Sequence, residues 1–128
     1  MHSAYRAIDI ETDVMTASAH RLVQLLFNRC LEHIQNAKRQ IEENQLMEKC
    51  TSISKATDIL EYLRLCLNLE DEKTRTISVT LDQLYLYIER ILLMANVNNN
   101  TQYLNEALKL LANIKEGWDG AGEKLGNN

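Results

Sequence analysis

Ser18 and His20 stand almost side by side near the N-terminus, as a nucleophile and its base would be named in a hydrolase. Such a pair becomes catalytic only when folding brings hydroxyl and imidazole into hydrogen-bond reach and a third group orients the ring. Neighbouring positions in sequence supply none of this, and a helix-capping serine followed by a surface histidine accounts for the same residues. His20 and His33 are thirteen residues apart, so the two-histidine zinc helix is absent. No glutamate is followed by a histidine three residues later, which removes the di-iron pattern of helical bundles. Cys30, Cys50 and Cys66 are odd in number and none forms a CxxC pair, so they read as free thiols rather than as a disulfide framework or zinc site. The acidic clusters Glu42–Glu43 and Glu70-Asp71-Glu72 fall where a turn or a solvated end is expected, and no glycine loop offers a cradle for phosphate. The residues that could do chemistry thus lack the spacing chemistry requires, and the expectation is a chain with no catalytic, cofactor or metal site.

The elements explain more. With 128 residues the chain suffices for one domain with a real core. A formal net charge of −4 argues against a nucleic-acid partner and against attraction to anionic lipid. The first residues, MHSAYRAIDIET, lack a basic region followed by an apolar run, and no apolar run approaches the ~20 residues of a membrane span. The expectation is a cytoplasmic protein with no membrane insertion.

There is no proline, and the four glycines all lie at or beyond Gly117. Helices joined by short polar turns follow. The first is predicted from Ala19 to Glu43, with Ser18 as its N-cap and Leu22, Leu26, Cys30, Ile34, Ala37 and Ile41 as its core stripe, flanked by Val23 and Phe27. The second runs from Leu46 to Leu67 or Leu69 on a stripe of Leu46, Cys50, Ile53, Thr57, Leu60, Leu63 and Leu67. The third begins between Thr74 and Thr80 and ends near Val97, with Leu81, Leu84, Ile88, Ile91 and Ala95 inward and Ile77 extending the stripe. Asparagines in "NVNNN" tolerate left-handed backbone and can cap the fourth helix, a slightly shorter one carrying Leu104, Leu108, Leu111, Ile114 or Lys115, and Trp118. Short turns make neighbours antiparallel, so the fold is all-α, an antiparallel four-helix bundle. Within a single domain of residues 1–128, residues 1–15 form an N-terminal arm, 16–118 the bundle and 119–128 a frayed, flexible tail.

Two helices carry a second apolar line. On the second helix it is Ile59, Tyr62, Cys66 and Leu69; on the third it is Val79, Leu86 and Leu93, which recur every seven residues. A helix in a small domain normally shows one apolar stripe and one polar face. Scattered surface apolar residues, a wide core, a homodimer face or a partner groove would each account for the extra lines.

The residues also carry a resemblance. "AYRAIDIETDVMTASAHRLVQLLF" looks like the start of the flagellin-specific export chaperones, the FliS family, with Tyr5, Thr16-Ala17-Ser18, Leu22, Leu26 and Phe27 in its pattern. "LDQLYLYIERILLMANVNNN" resembles that family's Leu-Tyr-x-Tyr helix through Leu84, Tyr85, Tyr87, Ala95 and Asn96, and "KATDIL" and Trp118 agree. The match departs at Ala19, where proline is common, at Asn28, Arg29 and Cys30 after the aromatic, in "EKTRT", which lacks glycine, and at Asn100. Arg29 and Cys30 could alter partner choice. The resemblance implies a cytoplasmic four-helix bundle that binds the disordered C-terminal segment of flagellin and delivers it to the flagellar type III export gate, with an anti-sigma factor as a further contact of some members. Ile59, Tyr62, Cys66, Leu69, Val79, Leu86 and Leu93 would then bind the client, and Tyr5, Ile8 and Ile10 would cap the groove or complete the core. The alternative is a regulatory module that self-associates, as a weak homodimer, through the same lines.

Overall fold

A computed structural model describes residues 15–126 of the chain, with side chains for residues 18–122. Four helices follow one another: α1 (Met15–Glu42), α2 (Leu46–Leu65), α3 (Arg75–Asn98) and α4 (Thr101–Gly126). No strand occurs among the described residues, and no helix among them is long and apolar enough to cross a membrane.

Asparagine makes the sharp turns. Asn44 adopts φ 58° after α1, and the backbone N–H groups of Asn44 and Gln45 donate back to the carbonyls of Ile41 and Gln40 at 3.1 and 2.7 Å. Asn99 ends α3 at φ 51°, ψ 42°, a left-handed conformation that asparagine tolerates better than most residues. Asn100 then accepts the backbone N–H of Gln102 at 2.8 Å, capping the open start of α4. The longer connection, residues 66–74, is largely exposed and held locally, Asn68 Oδ1 accepting the backbone N–H groups of Glu70 and Asp71 and Asp71 Oδ1 that of Lys73.

Cross-helix bonds give the arrangement. Gln40 near the end of α1 meets Ser52 early in α2; Lys49 at the start of α2 meets Asn96 and Asn99 at the end of α3; Arg64 at the end of α2 meets Asp82 early in α3; His20 and Gln24 in α1 meet Trp118 and Asp119 in α4. Every pair joins opposite ends, so chain neighbours are antiparallel and α4 closes the ring against α1. One core runs through all four helices, built on Phe27, Ile34, Leu60, Ile88, Leu92, Leu104 and Leu111.

Several sequence expectations shift. α1 starts at Met15, so Ser18 lies inside the helix and is not its N-cap. α4 continues as helix to Gly126, past Asp119, and Trp118 and Asp119 are bonded to α1. α4 is also longer than α2, at 26 residues against 20. α2 ends at Leu65, and its buried face is Lys49, Ser52, Ile53, Ala56, Leu60 and Leu63, leaving Leu46 and Cys50 exposed. On α3, Tyr85 and Leu92 are buried while Leu84 is half-buried and Ile77 exposed. The Tyr85 ring lies 6.5 Å from that of Phe27, a contact that turns α3 toward α1 and away from the stripe centred on Leu84.

Candidate interaction surface

α2 has two flanks, and each carries part of the apolar surface. On the α3 side, Asp82, Glu89 and Asn96 recur at seven-residue spacing and all face α2. Arg64 donates through Nε to Asp82 at 2.9 Å and through Nη1 to Glu89 at 3.3 Å, and the Cys50 thiol donates to Asn96 Oδ1 at 3.4 Å. The two carboxylates hold the Arg64 guanidinium above its usual range, Asp82 contributing most. Burial lifts the Glu89 carboxyl; a hydrogen bond to Glu61 adds to the rise and Arg64 opposes it.

Val79, Leu86 and Leu93 each precede one of these positions by three residues, so they form the next row outward on α3. Val79 and Leu93 are exposed and Leu86 is half-buried. Leu93 also enters a cleft of about 390 Å³ between α2 and α3, where Ile53 and Thr57 supply the α2 wall and Asp58, Glu89 and Arg90 the charged rim.

Ile59, Tyr62 and Cys66 do not share this surface. Ile59 and Tyr62 are turned about 200° and 140° round α2 from Thr57 at ~100° per residue. They lie instead on the side of Ser52, whose hydroxyl donates to Gln40 of α1 at 2.7 Å. Ile59 packs partly on the core, Tyr62 and Cys66 are exposed, and Leu69 stands exposed in the connection after α2. Six of the seven expected client residues therefore divide between the α1–α2 and α2–α3 flanks, and Leu69 lies on neither. Tyr5, Ile8 and Ile10 lie outside the described residues.

Sequence reasoning missed Lys49, which is 3% exposed. Its ammonium donates to the Asn96 carbonyl at 2.9 Å and to Asn99 Oδ1 at 2.7 Å, which places a positive charge on the negative end of the α3 dipole. Its place in the buried seven-residue series Lys49, Ala56, Leu63 was the only available signal. Among the described residues no group of three His, Cys, Asp or Glu side chains could hold a metal ion.

Half-apolar rows thus lie on both flanks of α2, with the charged Arg64–Asp82–Glu89 seam on the α3 side. The model of the flagellar protein FliS family matches residues 1–125. The chain belongs to that family. It is 39% identical over 116 residues to the flagellar secretion chaperone FliSB of Pseudomonas aeruginosa, covering 91% of this chain and 90% of that protein. It is 36% identical over 115 residues to the flagellar secretion chaperone FliS of Salmonella typhimurium, covering 90% and 84%. It is 31% identical over 116 residues to the flagellar secretion chaperone FliS of Vibrio cholerae, covering 91% and 84%. Membership in the FliS family agrees with the four-helix architecture, and the match includes the N-terminal residues that precede α1.

Proposed function

We propose that this chain is a cytoplasmic, non-enzymatic export chaperone that binds the disordered C-terminal segment of flagellin, keeps it from polymerising early and delivers it to the flagellar type III export apparatus. The observation that carries this reading is the near-full-length similarity to proteins named flagellar secretion chaperones. The exposed apolar rows on both flanks of α2 support it, since an extended client can lie across two helix grooves. A segment that orders on binding gives up about 2–5 kcal/mol or more, which suits a carrier that must hold and then release its cargo. The export gate and an anti-sigma factor are further partners in this reading.

Size-exclusion chromatography and titration calorimetry with monomeric flagellin from the same organism test it. Flagellin should co-elute with the chain, and flagellin lacking its C-terminal segment should not. Leu86→Lys with Leu93→Lys should keep the helical spectrum and melting point while weakening binding. A chain that ignores flagellin and instead grows in size with concentration would be the self-associating module.

A further inference from the structure

The α1–α2 flank is divided lengthwise. On α1, Leu22, Arg29 and Asn36 recur at seven-residue spacing, with Leu25 one turn before Arg29 and His33 one turn after it. On the antiparallel α2, Lys55, Ile59, Tyr62 and Cys66 run the other way along the same flank. One half of the flank is consequently apolar, with Leu25 and Tyr62 both exposed and Leu22 half-buried. The other half is basic, with Arg29, His33 and Lys55 brought together from the two helices.

We infer that this flank seats a client segment whose apolar side chains lie on Leu22, Leu25 and Tyr62 and whose acidic side chain, about one helical turn further on, meets Arg29, His33 and Lys55. The inference rests on the chaperone reading above and adds the chemistry of the segment that docks here.

Charge complementarity is the argument. On a chain of net charge −4, the two cations Arg29 and Lys55, with the titratable His33 between them, form a local reversal of sign beside an apolar row. The carboxylate already beside it, Glu32, is only loosely engaged: it sits 3.8 Å from Arg29 with both side chains about two-thirds exposed. An exposed pair of that kind contributes little, so a client carboxylate can displace it at small cost. The cluster also acts on its own histidine. Burial and then the charges of Lys55 and Arg29 hold the His33 imidazole below its usual range, with Glu32 opposing. A carboxylate arriving from the client would reverse that balance and favour the imidazolium, so docking takes up a proton and strengthens as pH falls. The α2–α3 flank differs: Asp58 and Glu89 rim its cleft with Arg90, and the neighbouring Arg64 is already engaged by Asp82 and Glu89.

The test is titration calorimetry of the full chain with monomeric flagellin, comparing wild type with the double variant Arg29→Glu, Lys55→Glu. Both positions are exposed, and circular dichroism checks that the fold persists. The double reversal should weaken binding by about tenfold or more and flatten the salt dependence between about 0.05 and 0.5 M. Arg29→Lys with Lys55→Arg should keep both, and an acid-to-lysine change in the bound client segment should rescue the reversed chaperone. In NMR titrations the His33 ring should move to a higher pKa when flagellin is bound. Unchanged affinity and salt dependence in the reversed chain would overturn the inference while leaving the chaperone reading intact. Tighter binding would also overturn it, because the flank would then be occupied by the chain's own acidic residues Asp9, Glu11 and Asp13. Failure of folded wild-type chain to bind flagellin at all would remove the chaperone reading and this inference with it.

Discussion

The indole nitrogen of Trp118 donates to the main-chain carbonyl of His20 at 3.0 Å, and the two rings stack with centroids 4.5 Å apart and planes within 9°. This contact fastens the late part of α4 to the early part of α1, just before the residues the sequence reads as a frayed tail. Gly122 lies one helical turn beyond the tryptophan. A Cβ there would collide with His20 Nε2, a buried atom with no hydrogen-bond partner among the described residues.

Glycine at 122 is therefore a packing requirement. In a helix interior Gly→Ala ordinarily gains up to about 1 kcal/mol. Gly117→Ala and Gly120→Ala, which meet nothing within 4 Å, should show that gain. Gly122→Ala should instead cost about 1–3 kcal/mol, because the stacked ring must be displaced. Adding His20→Ala should remove most of that penalty, giving a strongly non-additive pair. Urea unfolding of wild type, the three glycine variants, His20→Ala and the double variant decides it, and a stabilising Gly122→Ala would show that the ring is free to move.

Lys49 makes a second test of long-range fastening. Its ammonium satisfies the Asn96 carbonyl and the Asn99 side chain at the end of α3. Lys49→Met keeps the apolar stem but leaves two acceptors without their donor. The loss should be about 1.5–3 kcal/mol, the usual range for hydrogen bonds to a charged group. A change below half of that range in urea unfolding would mean that solvent replaces the lysine.

Much of the architecture was legible because the breakers are so unevenly placed. With no proline anywhere and no glycine before Gly117, asparagine had to make the turns, and Asn44 and Asn99 do so with positive φ. Helix rotation was less legible. α3 carries apolar residues on more than one side, so Leu81, Leu84, Ile88 and Tyr85, Ile88, Leu92 are both acceptable stripes; packing against the shared core, Phe27 of α1 included, selects the second. On α2 a lysine reads as solvent-facing until the end of α3 is placed beside it. The same limit applies to the interaction surface. The extra apolar rows were visible as periodicities, but their division between two flanks depends on which neighbour each side of α2 meets. Arg29 and Lys55 are far apart in sequence and become one basic cluster only when α1 and α2 pack antiparallel.

The three thiols should separate by reactivity. Cys30 is fully buried, its thiol donating to the Ala56 carbonyl at 3.5 Å, and burial pushes its pKa up to about 12. Cys50 and Cys66 are exposed. A thiol reagent at neutral pH should modify two sites promptly and the third only as the protein unfolds, since the thiolate is the reacting species. Three equivalents under denaturing, non-reducing conditions complete the check; rapid reaction of all three in the folded chain would show that the core opens easily at Cys30.

Residues 1–13 supply a test of the N-terminal arm. If Tyr5, Ile8 and Ile10 cover the client surface as a tethered competitor, removing these residues raises the fraction of open molecules and tightens flagellin binding. The expected result is higher affinity and more self-association with a nearly unchanged melting point. A much lower melting point without tighter binding would make the arm part of the core.

Glu89 gives the seam between α2 and α3 a pH dependence of definite sign. Burial raises its carboxyl above the ordinary 4.5, with Glu61 adding to the rise and Arg64 opposing it. The folded chain thus keeps a proton that the unfolded chain has lost. The stability from this group is complete below pH 4.5 and falls as pH rises through the folded value. Asp119 works in a lower window: Lys115 first and Gln24 second hold it below 3.8, so its contribution is lost as pH falls through that lowered value. His33 overlaps the upper range with the opposite slope, because its lowered pKa removes stability as pH falls below 6.5. The informative quantity is therefore the difference between Glu89→Gln and wild type at each pH. Glutamine keeps an acceptor for Arg64, carries no charge to bury and cannot repel Glu61. The variant should match wild type near pH 4.5 and become relatively more stable as pH rises toward neutrality. Thermal melts across that range measure the difference. A constant offset at every pH would show that Glu89 does not titrate in the folded seam and that its pairing with Arg64 outweighs burial.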